Sequence, residues 1–189
     1  MSDEQYLKGW NKQTPAYTTQ TADGRHPDQQ VQEFGPGLRG AALYADLGIA
    51  EATGGQFRAH IIKWNQEQLK KDREANVKPT TGMHRHHYDF HFNYVLKGST
   101  SFVIDGVEGV ITCKAGDSYF LPSRILHNEI EASDDIVILE LYGPAKVATE
   151  QLEDEVGGGR RFADMTETAD EKQYLKGWNK QTPAYTTQT

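Results

Sequence analysis

The sequence predicts an all-β domain with polar ends, on three observations. Between His91 and Tyr142 short runs rich in Val, Ile, Phe and Tyr follow one another: "FNYVLKG", "STSFVIDG", "VEGVITCKAGD", "SYFLPS", "HNEIEAS" and "DIVILELYG". Side chains of this kind suit half-buried strands. Glycines, Asp-Gly and Asp-Asp pairs punctuate them at near-even intervals, which points to a sandwich or a barrel. At 189 residues the chain has the length of one domain with a real core.

The elements follow in order. "TADGRHPDQQVQEFGPGLRG" (21–40) is rich in Gly, Pro and polar residues and reads as an extended lead-in. "AALYADLGIA" (41–50) fits a strand or a short helix, and periodicity does not separate the two. "QFRAHIIKWN" (56–65) alternates and carries Phe, Ile and Trp, a strand pattern. "QEQLKKDREANVKPTTG" (66–82) is a charged helical or loop excursion ending before Pro79. Its acidic residues interleave with the lysines, so it reads as a solvated connection and not as a nucleic-acid patch. "SFVIDGVEGVI" reads as a hairpin turning at Asp105 and Gly106. The segment from Lys146 to Lys172 is charged and starts as a short helix before becoming a linker. The expected organisation is an arm over 1–40, a β domain over 41–148 and a polar tail over 149–189.

Composition narrows the function classes. A net charge of −7 argues against a non-specific nucleic-acid binder, which needs a basic stripe. Cys113 is the only cysteine, so there is no disulfide framework and no thiolate metal cluster. No apolar run approaches the ~20 residues that span a bilayer. The polar start "MSDEQYLKGW" has no apolar leader core, and the expected location is the cytoplasm.

Residues 5–21 and 173–189 are the same seventeen letters, "QYLKGWNKQTPAYTTQT". Repeats that build solenoids diverge and need several copies, so two identical end segments read as a tail duplication. In a functional reading, Tyr6, Trp10 and Tyr17 make an adhesive aromatic segment that docks on a domain or partner edge.

The chemistry concentrates in "GMHRHHYDFHFNYVLKG" (82–98), which holds four of the seven histidines: His84, His86, His87 and His91. Crowded imidazoles disfavour one another's protonation. The bland alternative is a solvated loop; the sharp one is a metal, which binds neutral imidazole. On a strand His84 and His86 share a face while Arg85 and His87 take the other. His91 lies across a short bend, and His127 is the one plausible downstream partner.

"HRHHYDFHFNYVLKG" resembles the first cupin motif: His84-Arg85-His86, four residues, His91, six residues, Gly98. "GDSYFLPSRILH" resembles the second, with Gly116, Pro122 and His127 in register. The resemblance spans about residues 56–145. It implies a cupin jelly-roll (double-stranded β-helix) barrel with one divalent transition metal on His84, His86, His91 and His127. It further implies iron or manganese by preference, with zinc, nickel, cobalt or copper also accommodated. His91 replaces the usual glutamate, so the site resembles the all-histidine cupins. Lys78 stands where a glycine is usual and Gly82 lies closer; Arg124 replaces a common glycine and Glu131 a common asparagine. Four neutral imidazoles leave a divalent ion at +2, favouring an anionic or enolate-forming ligand.

The resulting expectation is an oxygenase acting on a small enolisable or anionic organic substrate. The alternatives are a Lewis-acid isomerase, cyclase or lyase, and a small-molecule-binding cupin without catalysis. Neither flank shows a helix-turn-helix that would mark a regulator. Tyr88, Phe90 and Arg124 are candidates for the pocket mouth, Arg124 because guanidinium suits carboxylates. His87 is expected on the outward face, His60 as a satisfied core or surface histidine, His26 as bland, and Cys113 as a small buried hydrophobe. The family's habit, together with extended arms that can add strands to a neighbour's sheet edge, implies a homodimer.

Overall fold

The computed structural model describes residues 20–21, 30–36, 41–77, 80–154, 160–164 and 186–188. In chain order they form β1 (Gln20–Thr21), β2 (Gln30–Val31), β3 (Gly35–Pro36), β4 (Ala42–Asp46), α1 (Ile49–Ala52), β5 (Arg58–Trp64) and α2 (Gln66–Glu74). Then come β6 (His84–His86), β7 (Phe90–Lys97), β8 (Ser99–Ile104), β9 (Ile111–Lys114), β10 (Ser118–Phe120), β11 (His127–Ala132) and β12 (Val137–Gly143). The last three strands are β13 (Thr149–Asp154), β14 (Arg160–Asp164) and β15 (Thr186–Gln188).

Two antiparallel sheets carry the fold, one in the order β15-β10-β7-β12-β5-β4-β3 and one in the order β14-β13-β6-β11-β8-β9. They remain two sheets and do not close into one continuous ring, and β1 and β2 form a small parallel pair. The expected all-β jelly-roll architecture is what the chain adopts. Period-two alternation explains the layering. Along β7, His91, Asn93 and Val95 are buried while Phe90, Tyr94 and Leu96 are exposed, so one face looks inward and the other out. Val95, Phe102, Ile104, Cys113, Tyr119, Leu121, Ile125 and Ile136 form the core at one end of the space between the sheets.

Several local expectations are refined. "AALYADLGIA" holds both readings at once, β4 followed by the one-turn α1. Asn65 caps α2, its side-chain oxygen accepting from the backbone N–H of Glu67 and Gln68, and the helix stops well before Pro79. The β8–β9 hairpin turns at Asp105 and Gly106, but its connection runs from 105 to 110. The segment after residue 148 is not a short helix: Thr149 pairs with His86 and Gln151 with His84, so β13 continues the smaller sheet. An available sheet edge outweighs the weak helical preference of that polar stretch. Of the duplicated segments, Thr186–Gln188 pair with the edge strand β10 and Gln20–Thr21 with β2. Tyr6, Trp10, Tyr17 and His26 lie outside the described residues.

Gly98 joins β7 to β8 at φ 72°, where a Cβ would stand 2.1 Å from Ser133 Oγ and 3.1 Å from Ile136 Cα. Left-handed strain and this overlap act together. Gly98→Ala is expected to lower stability by about 2 kcal/mol or more, read as a lower urea midpoint at unchanged slope.

Candidate metal centre

β6 and β11 lie side by side in the smaller sheet, with His127 directly opposite His84. Alternation turns His86 to the same inward face as His84. The three rings converge: centroids are 4.2 Å apart for His84 and His127, 4.8 Å for His84 and His86, and 5.4 Å for His86 and His127. One ring nitrogen from each lies within 4.8 Å of the others. Three histidines could hold a metal here.

The outer nitrogens are already committed. His84 Nδ1 is 2.9 Å from the Gly82 carbonyl, and His127 Nδ1 is 3.0 Å from the Ile125 carbonyl. His86 Nδ1 is 2.7 Å from Thr149 Oγ1. A carbonyl only accepts, so His84 and His127 donate from Nδ1, and each neutral ring keeps its lone pair on Nε2. Fixing Nδ1 in this way is how proteins orient imidazole towards a metal, and the donor set fits a divalent transition ion.

Sequence reasoning missed Glu129. Its Oε1 stands 3.6 Å from His127 Nε2 and its Oε2 3.8 Å from His84 Nε2. Thr81 Oγ1 donates to Oε2. Burial alone would raise the Glu129 pKa, but the charge of the His127 and His84 rings when they are protonated, as in the metal-free site at low pH, and the Thr81 hydroxyl hold it below the usual carboxylate range. The signal was present in the sequence: in His127-Asn128-Glu129 the first and third residues share a strand face.

His91 comes from the facing sheet, on β7, and stands outside the trio. Its Nε2 is 2.9 Å from Glu140 Oε1 and 3.1 Å from Asn93 Nδ2, and its ring centroid is 5.5 Å from that of His86. The other Glu140 oxygen is 3.4 Å from His60 Nδ1. Burial would raise the Glu140 pKa, yet the two imidazoles facing it outweigh this and hold it at about 2.

Residues 73–142 match the family described as Cupin domain, over less than half of the chain. That segment carries the three histidines of the trio. Solved structures similar to it include KdgF from Halomonas sp., at 14% identity and TM-score 0.45, covering 60% of this chain and 89% of that one. A RmlC-like cupin from Shewanella frigidimarina is 19% identical at TM-score 0.44, covering 61% and 86%. The polyketide cyclase RemF from Streptomyces resistomycificus is 14% identical at TM-score 0.48, covering 76% and 86%. No curated protein matches the chain.

His84 and His86 line a cavity of about 570 Å³ between the sheets, which Tyr88, His91, Glu129, Glu140 and Tyr142 also line, while His127 is buried behind them. Tyr88 is buried and stacks on His86 at 4.9 Å between centroids. Desolvation pushes its phenol well above the ordinary range, so it stays a neutral hydroxyl. Phe90 faces away from this cavity, into an apolar groove on the outer sheet face with Phe57, Leu139 and Leu141. Arg124 lines neither. Its Nε donates to His87 Nδ1 at 3.1 Å, and its backbone adopts φ 64°, which explains why a glycine is common at that motif position.

His87, directly after β6, turns away from the trio towards Glu150 and Arg124, but it is buried. Its Nε2 lies 3.1 Å from Glu150, which also receives Arg85. His60 faces the cavity beside Glu140. Cys113 is fully buried in the core, and desolvation raises its thiol pKa, as suits a small hydrophobe. Among the described residues no helix is long and apolar enough to cross a membrane.

Proposed function

We propose that this protein is a metal-dependent cupin oxygenase of small enolisable or anionic organic molecules, with the divalent ion on His84, His86 and His127. The observation that supports this reading is the imidazole trio, its Nδ1 atoms tied down and its His84 and His86 rings lining a cavity large enough for a small organic molecule. When bound, the ion (iron or manganese by preference) supplies Lewis acidity and redox capacity beside the substrate. The protein's own residues position and enclose. Tyr88 presents a neutral hydroxyl and a ring wall, and Glu140 keeps His91 and His60 in fixed orientation. The exposed apolar row Phe90, Tyr94 and Leu96 on the outer sheet face supports a homodimer in the cytoplasm as the working form, and sedimentation at the monomer mass would remove that part.

The deciding experiment reconstitutes metal-free protein with Fe(II) or Mn(II) and screens diketones, phenolics and sugar acids with and without air. Oxygen uptake in step with product, and no product without air, is the expected result. Equal turnover without air would replace the oxygenase with a Lewis-acid isomerase or cyclase. Saturable binding with no product under either condition would leave a binding protein.

A further inference from the structure

Strand geometry sets two inward i, i+2 pairs side by side: His84 and His86 on β6, His127 and Glu129 on β11. Because β6 and β11 are antiparallel with His127 opposite His84, His86 and Glu129 fall on opposite sides of that central pair. A carboxylate therefore stands beside the two central imidazoles, on the side away from His86. Oε1 stands 3.6 Å from His127 Nε2, close to the spacing of neighbouring ligands on one cation, and Oε2 stands 3.8 Å from His84 Nε2. Two donors held ~2.1 Å from a tetrahedral ion stand roughly 3.4 Å apart.

The surroundings prepare Glu129 for this position. Thr81 donates its hydroxyl to Oε2, while the Glu129 backbone N–H donates back to Thr81 Oγ1 at 3.0 Å and Thr81 N–H donates to the Glu129 carbonyl at 3.0 Å. One oxygen is thus clasped, and Oε1 is left to face His127. Directly after Glu129 the β8–β11 register shifts by a bulge, a device that re-aims side chains beside functional sites. His91, by contrast, has its Nε2 engaged by Glu140 and Asn93 on the facing sheet.

We propose that Glu129, and not His91, is the fourth protein ligand of the metal, binding through Oε1 while Thr81 holds Oε2. This rests on the reading of the histidine trio as a metal site. It gives the centre three histidines and one carboxylate, with the carboxylate supplied by the strand that carries the second motif. The bound divalent ion then carries a residual charge of +1, which a monoanionic enolate or carboxylate neutralises, so the favoured ligand class is a monoanion.

The test titrates metal-free wild type, Glu129→Gln, His91→Asn and His84→Ala with Zn(II) against a competing chromophoric chelator, and records visible spectra of the Co(II) forms. Circular dichroism checks the fold of each protein. The expected result is a ~100-fold or greater loss of Zn(II) affinity and an altered Co(II) spectrum for Glu129→Gln. His91→Asn should stay within about threefold of wild type with the wild-type spectrum. The spectrum separates a true ligand from a carboxylate acting only through its charge. Wild-type affinity and spectrum in Glu129→Gln would overturn the proposal, and so would loss confined to His91→Asn. Should Glu129→Gln fail to fold, Glu129→Asp decides by the same two readouts, because withdrawing Oε1 by one methylene moves it out of reach. Undiminished binding in His84→Ala would instead remove the underlying trio, a separate failure.

Discussion

His127→Ala is expected to purify with background metal, against about one divalent ion per wild-type chain, and to bind Zn(II) or Mn(II) at least ~100-fold more weakly. His127 is the residue to change because it is 1% exposed and sits opposite His84, with its Nδ1 fixed by the Ile125 carbonyl. Removing it takes away one donor without disturbing how His84 and His86 are held by Gly82 and Thr149. A folding defect is separated by linkage. Metal at a hundredfold above the dissociation constant stabilises a protein that binds only when folded by about 2.7 kcal/mol. The wild type should therefore melt later on metal addition while His127→Ala does not move. Elemental analysis showing equal metal in both proteins, with equal thermal shifts, would end the site.

The second large effect concerns acid. Glu140 sits between His60 and His91, its side chain is 14% exposed, and its pKa is held at about 2 against an ordinary 4.5. A carboxylate depressed on folding contributes stability that is fully present above its unfolded pKa and is lost as pH falls towards the folded one. The window is therefore pH 4.5 down to about 2, and the depression corresponds to about 3 kcal/mol. Glu140→Gln should lose an amount of that order at pH 7. It should also show a flatter stability curve through the acid window, so that the two proteins converge near its lower end. Urea unfolding at a series of pH values measures both. Parallel curves for wild type and variant would show that Glu140 is not the group responsible.

Most of the fold was legible because it follows from alternation and turn chemistry. "FHFNYVLK" declares its two faces by period two, and β7 follows it from Phe90 to Leu96 before Lys97 turns out to solvent. The His-x-His pair and the distant His127 were legible for the same reason, since strand parity fixes which side chains share a face. What a linear reading could not supply was register. That β6 pairs with β11 and β13, and β7 with β12, decides that His84 meets His127 while His91 meets Glu140. Motif spacing alone treats His91 as equivalent to the others.

The carboxylates were overlooked because an acidic residue in an alternating strand reads as solvent-facing by default. Only the inter-sheet cavity gives Glu129 and Glu140 a reason to point in. Arg124 illustrates the reverse error: its chemistry suits an anionic substrate, but its left-handed backbone turns it towards His87. The tail after residue 148 was misjudged because its partner, the free edge of β6, is a tertiary fact.

The direct pairing of His84 with His127 has a wider consequence. Sliding β11 along β6 by a single position would swing every alternate side chain through the sheet, turning Asn128 inward and His127 outward. With the proposed ion bound, occupancy of the cradle would double as an alignment gauge for the smaller sheet: chains able to capture the cation would be those that had zipped these strands correctly. The cation would in turn penalise every misaligned pairing that cannot bring the imidazoles together.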